Sequence, residues 1–256
     1  MPGMEIYQFP ARSDNFGVLI HDPKTEATAS IDAPDGEAVM AALREKNWVL
    51  THILITHHHY DHTAGNVQLK KQTGCIIVGP AAEKADIPGI DIAVKEGDEV
   101  DVGSLKAQVI ENPGHTKGHI SYYFPEERAV FVGDTIFSLG CGKLLEGDAK
   151  MMWSSLAKLR KLPPETAIYC GHEYTGANAR FALTIEPENE ALQDRAREVA
   201  ALLAEGRPTL PTTMGAELAA NPFLRPDSPA IQKNLGLEGA PLDQVFAEIR
   251  RRKDRF

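Results

Sequence analysis

The run Thr56-His57-His58-His59-Tyr60-Asp61-His62 constrains this chain more than any other feature: four of its nine histidines fall within six positions, directly after the apolar stretch Ile53-Leu54-Ile55. Side chains alternate along extended backbone, so His57, His59 and Asp61 face one pocket while the chain turns to deliver His62. A helical reading would align His58 with His62 as in zinc proteases, but that pattern needs a Glu where this chain has His59. Adjacent imidazoles that merely pack are the plain alternative. Several of them with a carboxylate beyond a strand end call for a cation.

Three further candidates sit on glycine-punctuated loops: His115 in Asn112-Pro-Gly-His-Thr-Lys-Gly-His119, Asp134 in Phe131-Val-Gly-Asp-Thr135, and His172 in Tyr169-Cys-Gly-His-Glu-Tyr174. Loops at strand ends are where sites are built. Seven donors are too many for one tetrahedral ion and suit two ions that share a carboxylate. Cys170 is a possible thiolate donor, but the nitrogen and oxygen donors already suffice.

Up to about residue 172 the chain shows short β-like runs: Glu5 to Phe9, Phe16 to His21, Thr28 to Ile31, His52 to Thr56, Cys75 to Val78, Leu105 to Ile110, Ile120 to Phe124 and Ala129 to Val132. So many strands imply sheet packed on sheet, with helical patterns at Gly36 to Lys46 and Ala149 to Arg160 covering the outer faces. Past residue 175 the alternation disappears and three or four helices follow, including Thr175 to Glu186, Glu188 to Glu205 and Leu242 to Lys253. A boundary near 174 therefore separates residues 1–174, which hold every histidine, from a helical region at 175–256.

A hydrophobic fraction of 43% supplies a globular core, and a net charge of -9 argues against a general binder of nucleic acid or anionic membrane. Three cysteines without a Cys-x-x-Cys pair imply no disulfide framework and a reducing compartment. The opening MPGMEIYQFPARSDNFG lacks the pattern of an export leader, and no stretch approaches the roughly 18 to 20 apolar residues of a membrane span. The expected location is cytoplasmic. Against the acidic background, the last helix ends in a basic cluster of Arg250, Arg251, Arg252, Lys253 and Arg255.

Taken in order, the histidine run and the His115, Asp134 and His172 loops resemble the metallo-β-lactamase superfamily. Within it the chain is similar to glyoxalase II, the hydroxyacylglutathione hydrolases, through Gly133-Asp-Thr-Ile-Phe, Gly140-Cys-Gly-Lys143, Tyr169-Cys-Gly-His-Glu-Tyr-Thr175, Asn221-Pro-Phe-Leu-Arg225 and the basic final helix. The resemblance implies an α/β fold, an αββα sandwich with a C-terminal α-helical domain that binds substrate. It implies that His57, His59 and His115 hold one divalent ion, that Asp61, His62 and His172 hold a second, and that Asp134 bridges them. Zinc is the first expectation, with iron or manganese as alternatives. His58 is read as turned away, His119 as a supporting or core histidine, and His21 and His52 as packed ones.

The implied reaction is hydrolysis of S-(2-hydroxyacyl)glutathione, such as S-D-lactoylglutathione, to glutathione and D-lactate, the second step of methylglyoxal detoxification. Paired cations lower the pKa of a shared water from 15.7 to about 7 or below. A thiolate leaves without a strong general acid, since a free thiol has a pKa of about 8.5. Asp61 is expected to orient the nucleophile and Asp134 to bridge the ions. The same resemblance assigns the tripeptide to Lys143, Tyr174, Arg250 and Lys253. Where some relatives carry a tyrosine two positions after the lysine, this chain has Leu145, which removes one hydrogen bond. Partners are expected to be limited to the glutathione thioester, and the protein is expected to be a monomer.

The competing readings are a mono-iron glutathione persulfide dioxygenase of the same fold, whose relatives generally lack the helical appendage, and a non-catalytic metal-binding protein. Structural zinc sites are usually closed by Cys and His around one ion, unlike this carboxylate-containing set.

Overall fold

Each of the eight β-like runs becomes a strand in the computed structural model, which describes residues 3–256; Met1 and Pro2 of the opening lie outside it. The chain divides into two units. The first runs to Glu111 and takes in Lys117–Gly133, and the second consists of Asn112–Thr116 and Asp134–Phe256.

In the first unit β1 (Glu5–Ala11) and β2 (Asn15–Asp22) form an antiparallel hairpin, and β3 (Ala27–Ile31) adds antiparallel to β2. The sheet then changes sense, because β4 (Leu50–Leu54), β5 (Ile76–Pro80) and β6 (Ile92–Val94) each lie parallel to the strand before. Parallel neighbours need long crossovers. Helix α1 (Gly36–Lys46) makes the first, and α2 (Tyr60–Thr63) with α3 (Asn66–Thr73) makes the second. Asp35 starts α1 by accepting from the Ala38 amide, and Asn47 stops it in the left-handed region at φ 57°. Val39 and Leu43 of α1 and Leu69 of α3 pack in one apolar cluster with Leu19, Ile53 and Ile77 of the sheet.

This topology places the site. The carboxyl ends of β3, β4 and β5 open on one edge, where ligands collect in parallel sheets. Asp32 follows β3, the histidine run follows β4, and a single 3-10 turn ending at Glu83 follows β5.

The second sheet of this unit is antiparallel, with β7 (Glu99–Val102), β8 (Leu105–Glu111), β9 (Ile120–Phe124) and β10 (Ala129–Phe131) in the order β10-β9-β8-β7. Exposure alternates along β7 and β8, whereas β9 is buried throughout. Tyr122 of β9 ties the sheets face to face, its hydroxyl donating to the Ile55 carbonyl at 3.0 Å.

In the second unit β11 (Ile136–Phe137) and β12 (Gly140–Cys141) form a tight hairpin, α4 (Ala149–Leu159) follows, and β13 (Ala167–Tyr169) pairs antiparallel with β14 (Thr212–Thr213). The helices are α5 (Thr175–Ile185), α6 (Glu190–Ala204), α7 (Met214–Ala220), α8 (Pro229–Leu235) and α9 (Leu242–Lys253). Glu217 of α7 fastens the hairpin, accepting from Ser138 Oγ at 2.9 Å and the Leu139 amide at 2.8 Å. Asn221 donates to the Gly140 carbonyl at 2.9 Å. Burial holds the Glu217 carboxyl above its usual pKa despite these donors.

Several expectations are corrected. Five helices follow Tyr174 rather than three or four, and β14 lies among them although no strand is expected past residue 175. β4 stops at Leu54, short of Thr56, because the Thr56 amide is taken by the Asp32 side chain. The extended reading of the histidine run fails after His59: Tyr60–Thr63 is one helical turn, so Asp61 and His62 leave it as helix residues. Among the described residues no helix is long and apolar enough to cross a membrane.

Candidate metal centre

In the first unit the site is organised by Asp32, a residue held at φ 55°. One of its carboxylate oxygens accepts from the Thr56 amide at 2.7 Å, and the other accepts from Thr56 Oγ1 at 2.9 Å and His62 Nδ1 at 2.8 Å. A carboxylate only accepts, so the Thr56 hydroxyl proton is committed to it. The Thr56 oxygen must then accept from His57 Nδ1, 3.0 Å away. In their neutral form His57 and His62 therefore both carry the proton on Nδ1 and present an unprotonated Nε2.

Those bare nitrogens meet other donors. His57 Nε2 lies 3.1 Å from His59 Nδ1, and the His57 and His62 rings are 4.1 Å apart. His62 Nε2 lies 3.6 Å from Asp61 Oδ2. Asn15, buried at the start of β2, donates to that Asp61 oxygen at 3.1 Å. His57, His59, Asp61 and His62 are thus brought together within one unit.

The second unit repeats the pattern. His115 Nδ1 donates to the Lys143 carbonyl at 2.8 Å, which leaves its Nε2 bare at 3.6 Å from Asp134 Oδ2. His172 Nε2 lies 3.3 Å from the same oxygen. Close packing delivers Asp134: Gly133 precedes it at φ 47°, where a Cβ would come within 2.4 Å of Thr56 Oγ1. A Cβ on Gly142 would sit 1.9 Å from the Asp134 carbonyl.

The donor chemistry fits a divalent cation. Two acceptors facing each other repel unless positive charge lies between them. Nitrogen and oxygen ligands each about 2.1 Å from a tetrahedral ion stand about 3.4 Å apart. The imidazole-to-carboxylate spacings of 3.3 to 3.6 Å in both units match that separation.

The histidines read as non-ligands have other partners. His58 holds Glu83, His21 stacks on Trp48 at 4.6 Å, and His52 Nδ1 is 2.8 Å from Thr51 Oγ1, with burial lowering its pKa. His119 is fully buried and stacks on His57 with ring centres 4.7 Å apart. Burial pushes the Cys170 thiol far up, which keeps it protonated and a poor ligand.

Of the expected substrate contacts, Tyr174 stacks on His172 at 4.7 Å with rings parallel to within 3°. Lys143 is exposed beside His115, and Leu145 is exposed as well. Arg250 is buried, its guanidinium donating to Asp254 Oδ1 at 2.8 Å and to the Cys141 carbonyl at 3.1 Å. Lys253 reaches the Ala177 carbonyl at 3.4 Å. Burial, together with Arg250 and Arg180, lowers the Lys253 pKa.

Sequence reasoning missed Asp32 and Asn15. Their partners lie 24 and 46 residues away, and only the parallel pairing of β3 with β4 or the placement of the β1–β2 turn would have exposed them.

Comparison with known proteins places these features. Residues 17–172 match the family model of the metallo-β-lactamase superfamily, and residues 173–256 match that of the hydroxyacylglutathione hydrolase C-terminus. The chain is 56% identical over 255 residues to the hydroxyacylglutathione hydrolase of Brucella anthropi, covering 100% of this chain and 98% of that one. It is 58% identical over 253 residues to that of Brucella ovis, covering 99% and 98%. Among solved structures it is similar to ETHE1 from Myxococcus xanthus, with 28% identity, a TM-score of 0.68 and coverage of 97% and 98%. A likeness of fold alone extends to the BLEG-1 B3 metallo-β-lactamase, at 20% identity, a TM-score of 0.68 and coverage of 86% and 100%.

Proposed function

The chain belongs to the hydroxyacylglutathione hydrolase family of the metallo-β-lactamase superfamily, with its α/β sandwich and C-terminal helical region, and on that premise we propose that it cleaves S-D-lactoylglutathione to glutathione and D-lactate. The protein is an enzyme that binds divalent metal. The observation that carries the substrate assignment is 56–58% identity running through the helical region as well as the sandwich.

Our reading of the site is that His57, His59 and His115 would hold one ion and Asp61, His62 and His172 a second, groups that each lie within ligating reach, with Asp134 as the carboxylate shared between them. Zinc is the first choice of metal. Divalent ions bound there would supply Lewis acidity and positive charge for hydrolysis of the thioester. The chain's residues do the rest. Asp32 and the Lys143 carbonyl fix the imidazole tautomers, and Asp61, held by Asn15, orients the nucleophile. Lys143, Tyr174, Arg250 and Lys253 neutralise and position the tripeptide in an otherwise acidic protein. Residues 1–174 then carry the chemistry together with the Lys143 and Tyr174 contacts, and 175–256 add the Arg250 and Lys253 contacts, in a cytoplasmic monomer.

The test is loss of thioester absorbance from S-D-lactoylglutathione, abolished by chelator and restored by zinc, with about two ions bound per chain. Turnover that survives complete metal removal would overturn the proposal. Dioxygen uptake with glutathione persulfide, absent thioester cleavage, would replace it with the dioxygenase reading.

A further inference from the structure

Four consecutive donor-type residues need not all bind metal, and something must decide which of them turn inward. Glu83 is placed to do so. It ends the 3-10 turn Ala81–Glu83 that follows β5 and is buried, with 5% of its surface exposed. Its Oε2 accepts from the backbone amide of His58 at 2.7 Å and from His58 Nδ1 at 2.9 Å. Its Oε1 accepts from the Gly118 amide at 2.8 Å. The fit at Gly118 is close: a Cβ there would lie 2.5 Å from Glu83 Cγ, so only glycine brings this backbone against the carboxylate.

Three N–H donors converge on one buried carboxylate, and charge-assisted hydrogen bonds of this kind are the strong ones. Two of the three come from a single residue of the histidine run. Gripping His58 by amide and ring together fixes both its backbone position and its side-chain direction. Holding the His58 ring on Glu83, with its centre 5.0 Å from that of the His59 ring, leaves His57 and His59 to turn toward each other. The His57 Nε2 to His59 Nδ1 approach of 3.1 Å is the result. The third bond ties in Gly118, three residues after His115 in the chain.

We propose that Glu83 is a positioning residue that selects the metal ligands of the histidine run, by holding the His58 imidazole out of coordination so that it does not displace His57 or His59. The inference rests on the ligand set proposed above. Without Glu83, the His58 imidazole loses its carboxylate partner within one residue of two ligands and competes with them for metal.

The test uses cobalt(II)-loaded full-length protein, read by its visible absorption and by metal loss to a competing chelator. E83A is expected to alter the cobalt spectrum and weaken metal retention by about 10-fold or more, the range seen when a ligand's supporting partner is removed. E83Q is expected to fall between E83A and wild type, because its carboxamide oxygen can still receive both His58 donors. H58A alone is expected to keep the wild-type spectrum. The double variant H58A/E83A is expected to regain that spectrum, because the competing ring is gone. An unchanged spectrum and unchanged retention in E83A overturn the proposal, and so does a double variant that remains altered. If E83A does not fold, wild-type retention in E83Q overturns it. H57A separates the premise: full metal content there defeats the ligand set itself, whereas metal loss in H57A with none in E83A defeats only the role of Glu83.

Discussion

Replacing Asp32 by Asn keeps volume and backbone but makes one carboxylate oxygen into a donor. Asparagine tolerates φ near 55° as aspartate does, whereas alanine there adds about 1 kcal/mol of backbone strain. The amide has two orientations. In one, its nitrogen faces the Thr56 amide, which is itself a donor 2.7 Å away. In the other, its nitrogen faces His62 Nδ1 at 2.8 Å and Thr56 Oγ1 at 2.9 Å. The second avoids a buried donor-donor clash only if His62 moves its proton to Nε2, the atom it turns toward Asp61. The hydroxyl of Thr56 is also freed to rotate, which releases the tautomer of His57.

Losing the partner that orients a metal ligand costs about 10- to 100-fold in affinity, or about 1.4 to 2.7 kcal/mol. D32N is therefore expected to bind zinc at least 10-fold more weakly in chelator competition. Thermal unfolding of the metal-free protein separates this from general damage, because the tautomer argument concerns the loaded form. Wild-type zinc affinity in a folded D32N would refute the claim that Asp32 sets the bare nitrogens.

Other expectations follow from the same structure. The Lys253 pKa is lowered from 10.5, and an anion binds only its charged form, so KM for the thioester should rise with pH before 10.5 is reached. K253R should flatten that rise with little change in kcat, as initial rates corrected for spontaneous hydrolysis will show. Arg225 grips the buried Glu186 carboxylate with two donors, at 2.9 and 3.1 Å, and R225A should cost about 3 kcal/mol in urea unfolding by stranding that charge. Burial alone would raise the Glu186 pKa, but hydrogen bonds from Arg225, Asn189 and Ser228 carry it below 4.5. Its contribution to stability is thus present above pH 4.5 and lost as pH falls through the lowered value, and R225A should shrink that acid-side loss. Finally, C170A should retain its full metal content, and the buried Cys141 thiol, pushed up to about 11, should resist alkylation at neutral pH in the folded enzyme.

How much of this was legible in the sequence depended on range. The extended stretch His57 to His59 was readable because alternation is a local rule, and the observed His57 to His59 approach obeys it. Asp61 and His62 broke the rule. The chain closes a helical turn at Tyr60, with the His62 amide on the His59 carbonyl at 2.9 Å and the Ala64 amide on the Tyr60 carbonyl at 2.8 Å. Nothing in Tyr-Asp-His-Thr announces a turn so short. The α1 and α9 helices were legible at both ends, since each is long enough to show a buried stripe. Among strands of two to four residues, β10 was legible as a continuous apolar run, whereas β7, β11 and β14 were not, because alternation needs more positions than they contain.

The same contrast separates ligands from their supports. Metal chemistry admits few residue types, so imidazoles and carboxylates clustered after a strand stand out by composition. The groups that orient them answer to no such restriction. Asp32 works on a backbone amide, a hydroxyl and a ring nitrogen, and Glu83 on two amides and a ring nitrogen. Every residue but proline offers an amide, so a lone acid at a strand end has no partner that sequence can name. Parallel pairing supplies the missing information, because β3, β4 and β5 bring Asp32, the histidine run and Glu83 to one edge although 51 positions separate the first from the last. Ligand identity is thus written locally, while the tautomers and directions that make those ligands competent are written in the order of the strands.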